Sequence, residues 1–302
     1  MNVDQLLDNF ERLVDSPNSI ARLRRFILDL AVRGKLVRQD PNEEPASDLL
    51  KRISEEKARL VKTGMIGKHK TYPSNLKKDQ LFQLPGNWQW SRIAEIGILN
   101  PRNTAEDTAM ASFVPMRMIP AKYGEANQHE IRQWGQIKKG YTHFVEGDVA
   151  LAKITPCFEN GKSVVLRGLI GGLGSGTTEL HIVRPLFVVP EYILIFLKCP
   201  YFIETGIPEM TGTAGQKRVS AEFFANSPFP VPPLAEQRRI VAKVDEFMAL
   251  CDRLETSLSS SVATRLLLLE ALLHEALMTH SKERLCATNR WKYGHSVGES
   301  NV

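Results

Sequence analysis

Apolar residues recur at helical spacing near the start of the chain. Between Ile20 and Ala31 they follow one another at steps of three and four, which places them on one face of an α-helix. Gly34 and the polar run QDPNEEP then interrupt the pattern, and a second amphipathic stretch follows. The pattern predicts an N-terminal helical region over residues 1–65 and a linker over residues 66–83. We expect the charged side of the second helix to face solvent; its members are Lys51, Arg52, Glu55, Glu56, Lys57 and Arg59.

The hydrophobic pattern changes after residue 84. Short apolar runs such as FVPMRMI, GDVALAKI and LHIVRPLFVV alternate with Gly, Pro and Asn up to residue 233, which is typical of short strands joined by turns. Helical spacing returns at residues 191–198 and again near Tyr201. These features predict one mixed β-sheet domain over residues 84–233 that contains two helices.

One long helical pattern begins at Leu234. Its apolar residues step by three and four without a break over residues 234–280, and at about 1.5 Å per residue such a helix would be roughly 60 Å long. A stripe of this length is typical of a coiled coil. Residues 281–302 lack a usable pattern and are expected to form a disordered tail. The predicted fold class is therefore α+β, a mixed β-sheet domain plus long helices that form an antiparallel coiled coil.

The composition bounds the class of protein. The chain has 302 residues, of which 43% are hydrophobic and 24% are charged, enough for a core and roughly two domains. A net charge of +5 and a pI near 9.0 suit a polyanionic partner. The excess of basic residues lies mainly before residue 84, so residues 84–233 are nearly neutral. Any DNA contact in that domain must therefore come from local clustering of basic and amide side chains.

Cysteine usage and hydropathy indicate the compartment. The four cysteines are widely separated and lack the paired spacing of a zinc site or of a small secreted domain. The acidic start of the chain does not fit a signal peptide, and no run of about eighteen apolar residues occurs. We therefore expect a protein of the reducing cytoplasm that does not span a membrane.

Signatures of catalysis are incomplete. The tripeptide GKS at 161–163 resembles the end of a phosphate loop, but Pro156 stands where the first glycine is required. The histidines form no HExxH motif. Glu55 and Lys57 form a Glu-x-Lys fragment of a nuclease site, which a solvated helix face explains better. The glycine-rich run GGLGSGTT at 171–178 lacks dinucleotide-binding spacing and is interpreted as a flexible loop. The sequence therefore predicts no catalytic residue and no metal ligand.

Two polar stretches are candidates for DNA contact. Arg and Lys can donate to guanine and Gln can pair with adenine, and loops rich in Gly and Thr present such side chains at a surface. An ordinary pair of polar hairpin loops explains the same residues. The first stretch contributes Lys153, Thr155, Asn160 and Lys162, and the second contributes Thr211, Thr213, Gln216, Lys217 and Arg218.

Three longer runs resemble one known family. They are ILDLAVRGKLVRQDPNEEPASDLLKRI at 27–53, LPGNWQWSRIAEIG at 84–97 and PPLAEQRRIVAKVDEFMALCDRLETSL at 232–258. They are similar to segments of the DNA specificity subunits of type I restriction-modification systems. The resemblance implies a noncatalytic subunit whose target-recognition domain reads one half of a split DNA site. The long helix would be the spacer and would dock methyltransferase subunits.

The resemblance also implies partners and site residues. The partners would be double-stranded DNA, methyltransferase subunits and, through the complex, restriction subunits, in a bacterial or archaeal cytoplasm. The chain itself would need no cofactor, because S-adenosylmethionine, ATP and Mg would belong to the partner subunits. The family's recognition loop corresponds to residues 211–220, and Thr177 and Thr178 join the DNA-binding candidates.

The chain departs from the family in having one recognition domain and one long helix, so it resembles a half-sized subunit or a fragment. Two copies joined antiparallel through their long helices would read a site with identical, inverted halves. A freestanding dimeric DNA-binding regulator or anti-restriction decoy is the alternative.

At the start of the long helix, Arg238, Arg239, Lys243 and Glu236 are expected to be solvated. The predicted helix interface consists of Ile240, Val244, Phe247, Cys251, Leu254, Leu258, Leu266, Leu269 and Leu273.

Overall fold

The computed structural model describes residues 18–67 and 82–293. Residues 1–17, most of the predicted linker (68–81) and the end of the predicted tail (294–302) lie outside the described residues. The chain divides into two units, Met1–Ala249 and Leu250–Val302. This boundary falls inside the last helix and not at residue 65 or 233, because the N-terminal helices pack against helices of the sheet domain.

The described residues form eight α-helices and two short 3-10 helices, at Met116–Met118 and Ile170–Gly172. The two predicted helices of the sheet domain are present as α5 and α6. Three further helices in that domain, α3, α4 and α7, are too short to show a periodic pattern in the sequence. The helices are α1 (Ser19–Val32), α2 (Ala46–Lys62), α3 (Ile93–Ile96), α4 (Trp134–Ile137), α5 (Pro190–Lys198), α6 (Pro200–Gly206), α7 (Ala221–Asn226) and α8 (Leu234–Tyr293).

Ten short strands form three sheets in the first unit. They are β1 (Gln89–Arg92), β2 (Gly97–Leu99), β3 (Met110–Val114), β4 (Glu130–Gln133), β5 (Thr142–Val145), β6 (Val149–Ala152), β7 (Ser163–Val165), β8 (Leu173–Gly176), β9 (Leu180–Pro185) and β10 (Pro228–Val231). One four-stranded sheet has the order β2-β9-β6-β7, and the other has the order β4-β3-β8-β5. Strands β3 and β8 pair in parallel, and the other pairs are antiparallel. The mixed sheets together with the helices confirm the predicted α+β class.

The glycine-rich run at 171–178 is not a flexible loop. Its central residues form strand β8, and Gly174 and Gly176 are buried. A Cβ atom on Gly174 would lie 2.4 Å from Cε2 of Phe144 and 2.6 Å from the carbonyl oxygen of Ser112. Glycine therefore lets the fully buried Phe144 ring pack directly against the strand. This ring belongs to a core cluster that includes residues of both four-stranded sheets.

The two ends of the sheet domain meet in a strand pair. Strand β1 pairs antiparallel with β10, so that Trp90 lies opposite Pro230. The N-terminal helices pack beside them, α1 against α5 and α6, and α2 against α3. Ile53 of α2 and Ala31 of α1 are fully buried. Burial of these apolar faces gives the helical region and the sheet domain a shared core.

Of two charged residues expected at the surface, Lys57 is half-buried and Glu236 is buried. The Nζ atom of Lys57 donates to the carbonyl oxygens of Ala94 and Gly97, the second at 2.9 Å, and burial lowers its pKa to about 8. Glu236 is fully buried. Its carboxylate accepts hydrogen bonds from Trp88 Nε1 at 3.0 Å and Gln39 Nε2 at 2.7 Å. The solvated role expected for both residues is therefore corrected, because helix periodicity alone does not reveal a polar tertiary contact.

The first turns of α8 pack into the first unit. Ile240 and Val244 are fully buried within this chain, which corrects the expectation that they form an interface with a partner helix. Phe247 is half-buried and lies under the Lys243 ammonium, 4.7 Å from the ring centroid. Arg239 forms an ion pair with Glu43. The start of α8 is thus an internal element of the sheet unit.

The second unit continues α8 to Tyr293, beyond the predicted end at residue 280. In this unit Cys251 is buried, and Leu254 and Leu258 are half-buried. Leucines with more than half of their surface exposed follow at 266, 267, 268, 269, 272 and 273. By length and composition alone, the stretch Leu234–His274 is apolar enough to cross a membrane. One such helix is weak evidence for a span, because the core helix of a soluble protein passes the same test.

Candidate nucleic-acid interface

The two polar stretches predicted to contact DNA lie side by side. Both the backbone nitrogen and the Oγ1 atom of Thr155 donate to the carbonyl oxygen of Lys217, at 2.9 and 3.2 Å. The backbone nitrogen of Val219 donates to the carbonyl oxygen of Lys153 at 2.9 Å. Residues more than sixty positions apart in sequence are therefore joined through their backbones.

Residues 211–218 form a tight hairpin at the protein surface, here called the recognition hairpin. Thr211 and Arg218 exchange backbone hydrogen bonds of 3.0 and 2.8 Å. Gly212 has a φ of +127°, and a Cβ atom there would lie 2.9 Å from the carbonyl oxygen of Gln216, so this turn requires glycine. Thr211, Thr213, Gln216 and Lys217 are all exposed. The hairpin thus presents polar groups on a fixed backbone.

The two basic residues of the recognition hairpin have different surroundings. Arg218 holds Glu179 at two points, Nε to Oε2 at 2.9 Å and Nη2 to Oε1 at 3.0 Å, and its Nη1 donates to the carbonyl oxygen of Gln216 at 2.9 Å. The hydrogen bond from Arg218 lowers the pKa of the Glu179 carboxyl. Among the described residues, the Lys217 ammonium has no hydrogen bond or ion pair. Arg218 therefore supports the hairpin, and Lys217 is available to a ligand.

Thr177 and Thr178 lie beside the same residues. The backbone nitrogen of Glu179 donates to Thr177 Oγ1 at 3.3 Å, and its carbonyl oxygen accepts from the backbone nitrogen of Lys153 at 3.0 Å. Thr178 is exposed. The turn after β8 thus joins the predicted site, although the signal from its glycine-rich sequence was weak.

Asn160 and Lys162 belong to a different part of the surface. The Nζ atom of Lys162 donates to the carbonyl oxygen of Met116 at 3.3 Å. Asn160 borders a cavity of about 530 Å³ that also includes Lys198 and Ala21. These two candidates do not take part in the contacts of the recognition hairpin.

A cleft of about 350 Å³, here called the basic cleft, opens beside the site. Lys153 and Thr178 line it together with Arg102, Tyr141, His143 and His181. Sequence reasoning missed Arg102, which stands in a Pro- and Asn-containing loop without any motif. The cleft combines residues from five separate parts of the sheet domain.

Both imidazoles of the basic cleft are held by hydrogen bonds. The Nε2 atom of His181 lies 3.1 Å from the carbonyl oxygen of Val219, and its ring stacks on Phe224 at 5.1 Å. His143 Nε2 lies 2.8 Å from the carbonyl oxygen of Lys138. Because a carbonyl only accepts, each Nε2 carries a hydrogen. Burial lowers the pKa of both imidazoles, that of His181 to about 4, so both are neutral at pH 7.

Part of this site is similar to a known protein domain. Residues 179–263 match the model of the type I restriction modification DNA specificity domain. This segment starts at Glu179 and includes the recognition hairpin and the start of α8. The resemblance to this family that the sequence predicted is therefore confirmed over these residues.

Over most of its length the chain is similar to specificity subunits of type I restriction enzymes. It is 47% identical to the EcoAI specificity subunit of Escherichia coli over 269 residues, which are 88% of this chain and 46% of that protein. It is 48% identical to the EcoEI specificity subunit of Escherichia coli over 275 residues, which are 90% of this chain and 46% of that protein. The chain thus spans about half the length of these relatives.

A solved structure is also similar. The crystal structure of the HsdS subunit from Thermoanaerobacter tengcongensis matches with a TM-score of 0.42 and 17% identity, over 84% of this chain and 52% of that one.

Proposed function

We propose that the chain is a noncatalytic DNA specificity subunit, or half of one, in a type I restriction-modification complex. The sequence identity of 47 and 48% with two specificity subunits, over most of this chain, carries this proposal. The sheet domain would recognise one half of a split target site. Methyltransferase subunits would dock on the long helix α8, and restriction subunits would join through the complex. Such a protein acts on DNA in the cytoplasm of a bacterium or archaeon.

The recognition hairpin supplies the groups that DNA reading requires. Gln216 and Lys217 are exposed, and their side chains can address adenine, guanine or phosphate groups. The backbone beneath them is held by Thr155 and by the Arg218–Glu179 ion pair. A fixed backbone reduces the entropy lost when these side chains engage DNA.

The chemical steps would belong to the partner subunits. S-adenosylmethionine would serve the methyltransferase, and ATP and Mg would serve the restriction subunits. Residues 18–67 and 82–293, as far as they are described, hold no group of three or more His, Cys, Asp or Glu that could bind a metal ion. The role proposed for this chain is to position its partners on a DNA sequence.

A second copy of the chain would complete the split site. The exposed leucines between Leu266 and Leu273 support a helix-to-helix contact, because burial of such a stripe against another helix is favourable. Two copies related by a two-fold axis would read inverted, identical half-sites.

The test is reconstitution. The purified chain is mixed with methyltransferase subunits of its own system, captured, and assayed for methyl transfer to genomic DNA, whose methylated positions are then sequenced. We expect a stable complex that methylates one short split sequence, and no methylation by the chain alone. Failure to bind the methyltransferase, together with dimeric DNA binding, would instead identify a freestanding regulator or decoy.

A further inference from the structure

The basic cleft beside the recognition hairpin has the chemistry of an anion site. Two cationic side chains, Arg102 and Lys153, line it, and none of its lining residues is a carboxylate. We infer that the cleft binds one phosphate group of the DNA backbone next to the bases that the recognition hairpin contacts. The inference rests on the proposed function and specifies which contact fixes the position of the protein along the DNA.

Neither cation forms an ion pair with a carboxylate in the described part of the chain, and the Glu179 carboxylate attracts Lys153 only from beyond ion-pair distance. The Lys153 ammonium makes no hydrogen bond or ion pair with any described residue. Arg102 donates one long hydrogen bond, 3.4 Å from Nη1 to the carbonyl oxygen of Tyr141, and remains exposed. The neighbouring Glu179 already has both of its carboxylate oxygens engaged by Arg218. Both charges are therefore available to an anion.

The size and the lining of the basic cleft fit a phosphate group. A volume of about 350 Å³ is ample for a phosphodiester and its attached sugar atoms. The exposed hydroxyl of Thr178 adds a neutral donor, and phosphate oxygens accept hydrogen bonds from hydroxyl, ammonium and guanidinium groups alike. The imidazoles of His143 and His181 are committed to carbonyl oxygens, so the two cations and Thr178 do the binding.

The backbone ties the basic cleft to the recognition hairpin. Lys153 accepts a hydrogen bond from Val219 through its carbonyl oxygen and donates one to Glu179 through its backbone nitrogen. The carbonyl oxygen of Val219 also faces His181 Nε2 at 3.1 Å. A phosphate held by Lys153 is therefore fixed relative to Gln216 and Lys217. Phosphate contacts position a protein on DNA while base contacts specify the sequence, and here the two sites share one frame.

The first experiment measures the salt dependence of binding. The full chain, in complex with its methyltransferase subunits, is titrated onto a duplex that carries the target sequence identified by methylation sequencing. Arg102→Ala, Lys153→Ala and the double variant are compared with Lys51→Ala, an exposed lysine on α2. The logarithm of the binding constant falls as the logarithm of the salt concentration rises, and loss of one phosphate contact should make this negative slope shallower by about 0.9. Because both cations hold the same phosphate, the double variant should also lose about 0.9, and Lys51→Ala should lose nothing.

A phosphate scan then locates the contact. Single phosphates of the duplex are replaced by uncharged methylphosphonates. We expect one position at which this replacement weakens binding by the wild-type protein but has no further effect on the double variant. Thermal unfolding of each variant verifies that the fold is retained. Lys153→Met serves as a second uncharged replacement of the lysine.

The outcomes separate the inference from the function on which it rests. If the wild-type complex does not bind the target in a salt-dependent way, the proposed function is overturned. If it binds and Lys217→Ala weakens it, but the cleft variants keep the wild-type slope, the cleft does not bind phosphate. A loss of about 1.8 in the double variant would mean two separate phosphates and would overturn the single-phosphate site.

Discussion

Arg218 and Glu179 face each other as a two-point ion pair, with Nε 2.9 Å from Oε2 and Nη2 3.0 Å from Oε1. Such parallel hydrogen bonds fix orientation as well as distance. The pair connects the recognition hairpin to the turn after β8, although 39 positions separate the two residues. An arginine that sequence reasoning assigned to DNA reading is thereby a structural support in the free protein.

Breaking this pair should reduce sequence discrimination more than overall affinity. Glu179→Gln removes one carboxylate oxygen from Arg218 and frees the hairpin to move. We expect the ratio of target to random-DNA affinity to fall about tenfold, and stability to fall by no more than about 1 kcal/mol because the pair is partly exposed. Competition binding measures the ratio. Glu56→Gln, which breaks a similar two-point pair with Arg59 on α2, is the control and should leave the ratio unchanged.

The two basic residues of the hairpin should respond differently to substitution. Lys217→Ala should weaken binding to every sequence and lower the salt slope by about 0.9, because it removes a free cation. Arg218→Ala should chiefly lower the melting temperature and the target preference. Anisotropy titrations at several salt concentrations distinguish the two. Equal slopes for wild type and Lys217→Ala would contradict the role assigned to the lysine.

His181 should make folding sensitive to acid. Its pKa is about 4 in the folded protein and 6.5 as the reference value, so the unfolded chain binds the extra proton between these values. The contribution of neutral His181 to the free energy of unfolding is therefore fully present above pH 6.5. As the pH falls to about 4, the free energy of unfolding decreases by up to about 3 kcal/mol. His181→Gln, which retains a donor for Val219, should flatten this dependence. Urea unfolding across this pH range gives the comparison.

Glu236 should contribute to stability through buried hydrogen bonds. Glu236→Leu leaves Trp88 Nε1 without its acceptor in the core, which should lower the unfolding free energy by about 2–3 kcal/mol. Glu236→Gln keeps an acceptor and should lower it less. The same leucine substitution at Glu246, an exposed residue on the same helix, should change it by no more than about 0.5 kcal/mol. Denaturant titration would show whether Glu236 and Glu246 differ.

The leucines of the second unit should determine self-association. Leu269→Glu with Leu273→Glu places two charges in an apolar stripe, so a homodimer formed there should dissociate into monomers. Sedimentation at micromolar concentration, with Glu270→Gln as control, measures this. A wild-type protein that is monomeric both alone and on DNA would argue against the dimer.

The sequence predicted the elements more successfully than their contacts. The periodicity of residues 20–31 and 234–280 and the short apolar runs between them indicate α1, α8 and the sheets, because burial imposes a regular spacing. The Gly- and Thr-rich composition of residues 211–218 likewise indicates the recognition hairpin. These signals are local, and each can be read from a short window.

What the sequence could not predict depends on distant pairs. Tertiary contacts determine the ion pair of Arg218, the hydrogen bonds of Lys57 to Ala94 and Gly97, and the position of Arg102. A fully solvated lysine and a half-buried, hydrogen-bonded lysine on a helix have the same local sequence pattern, so composition cannot distinguish them. The glycines of β8 likewise suggest a loop when only the sequence is considered. The structure shows that the Phe144 ring fills the space beside this strand.

The pairing of β1 with β10 means that the chain enters and leaves the sheet domain at one point, with Trp90 opposite Pro230. Everything between these strands is, in effect, a single long insertion into a helical frame. Insertions whose ends are close together can change in length and sequence without moving their anchors. Under the proposed function, exchange of residues 93–227 as one cassette would therefore give a new target specificity, provided that the faces that contact α1 and α2 keep their shape.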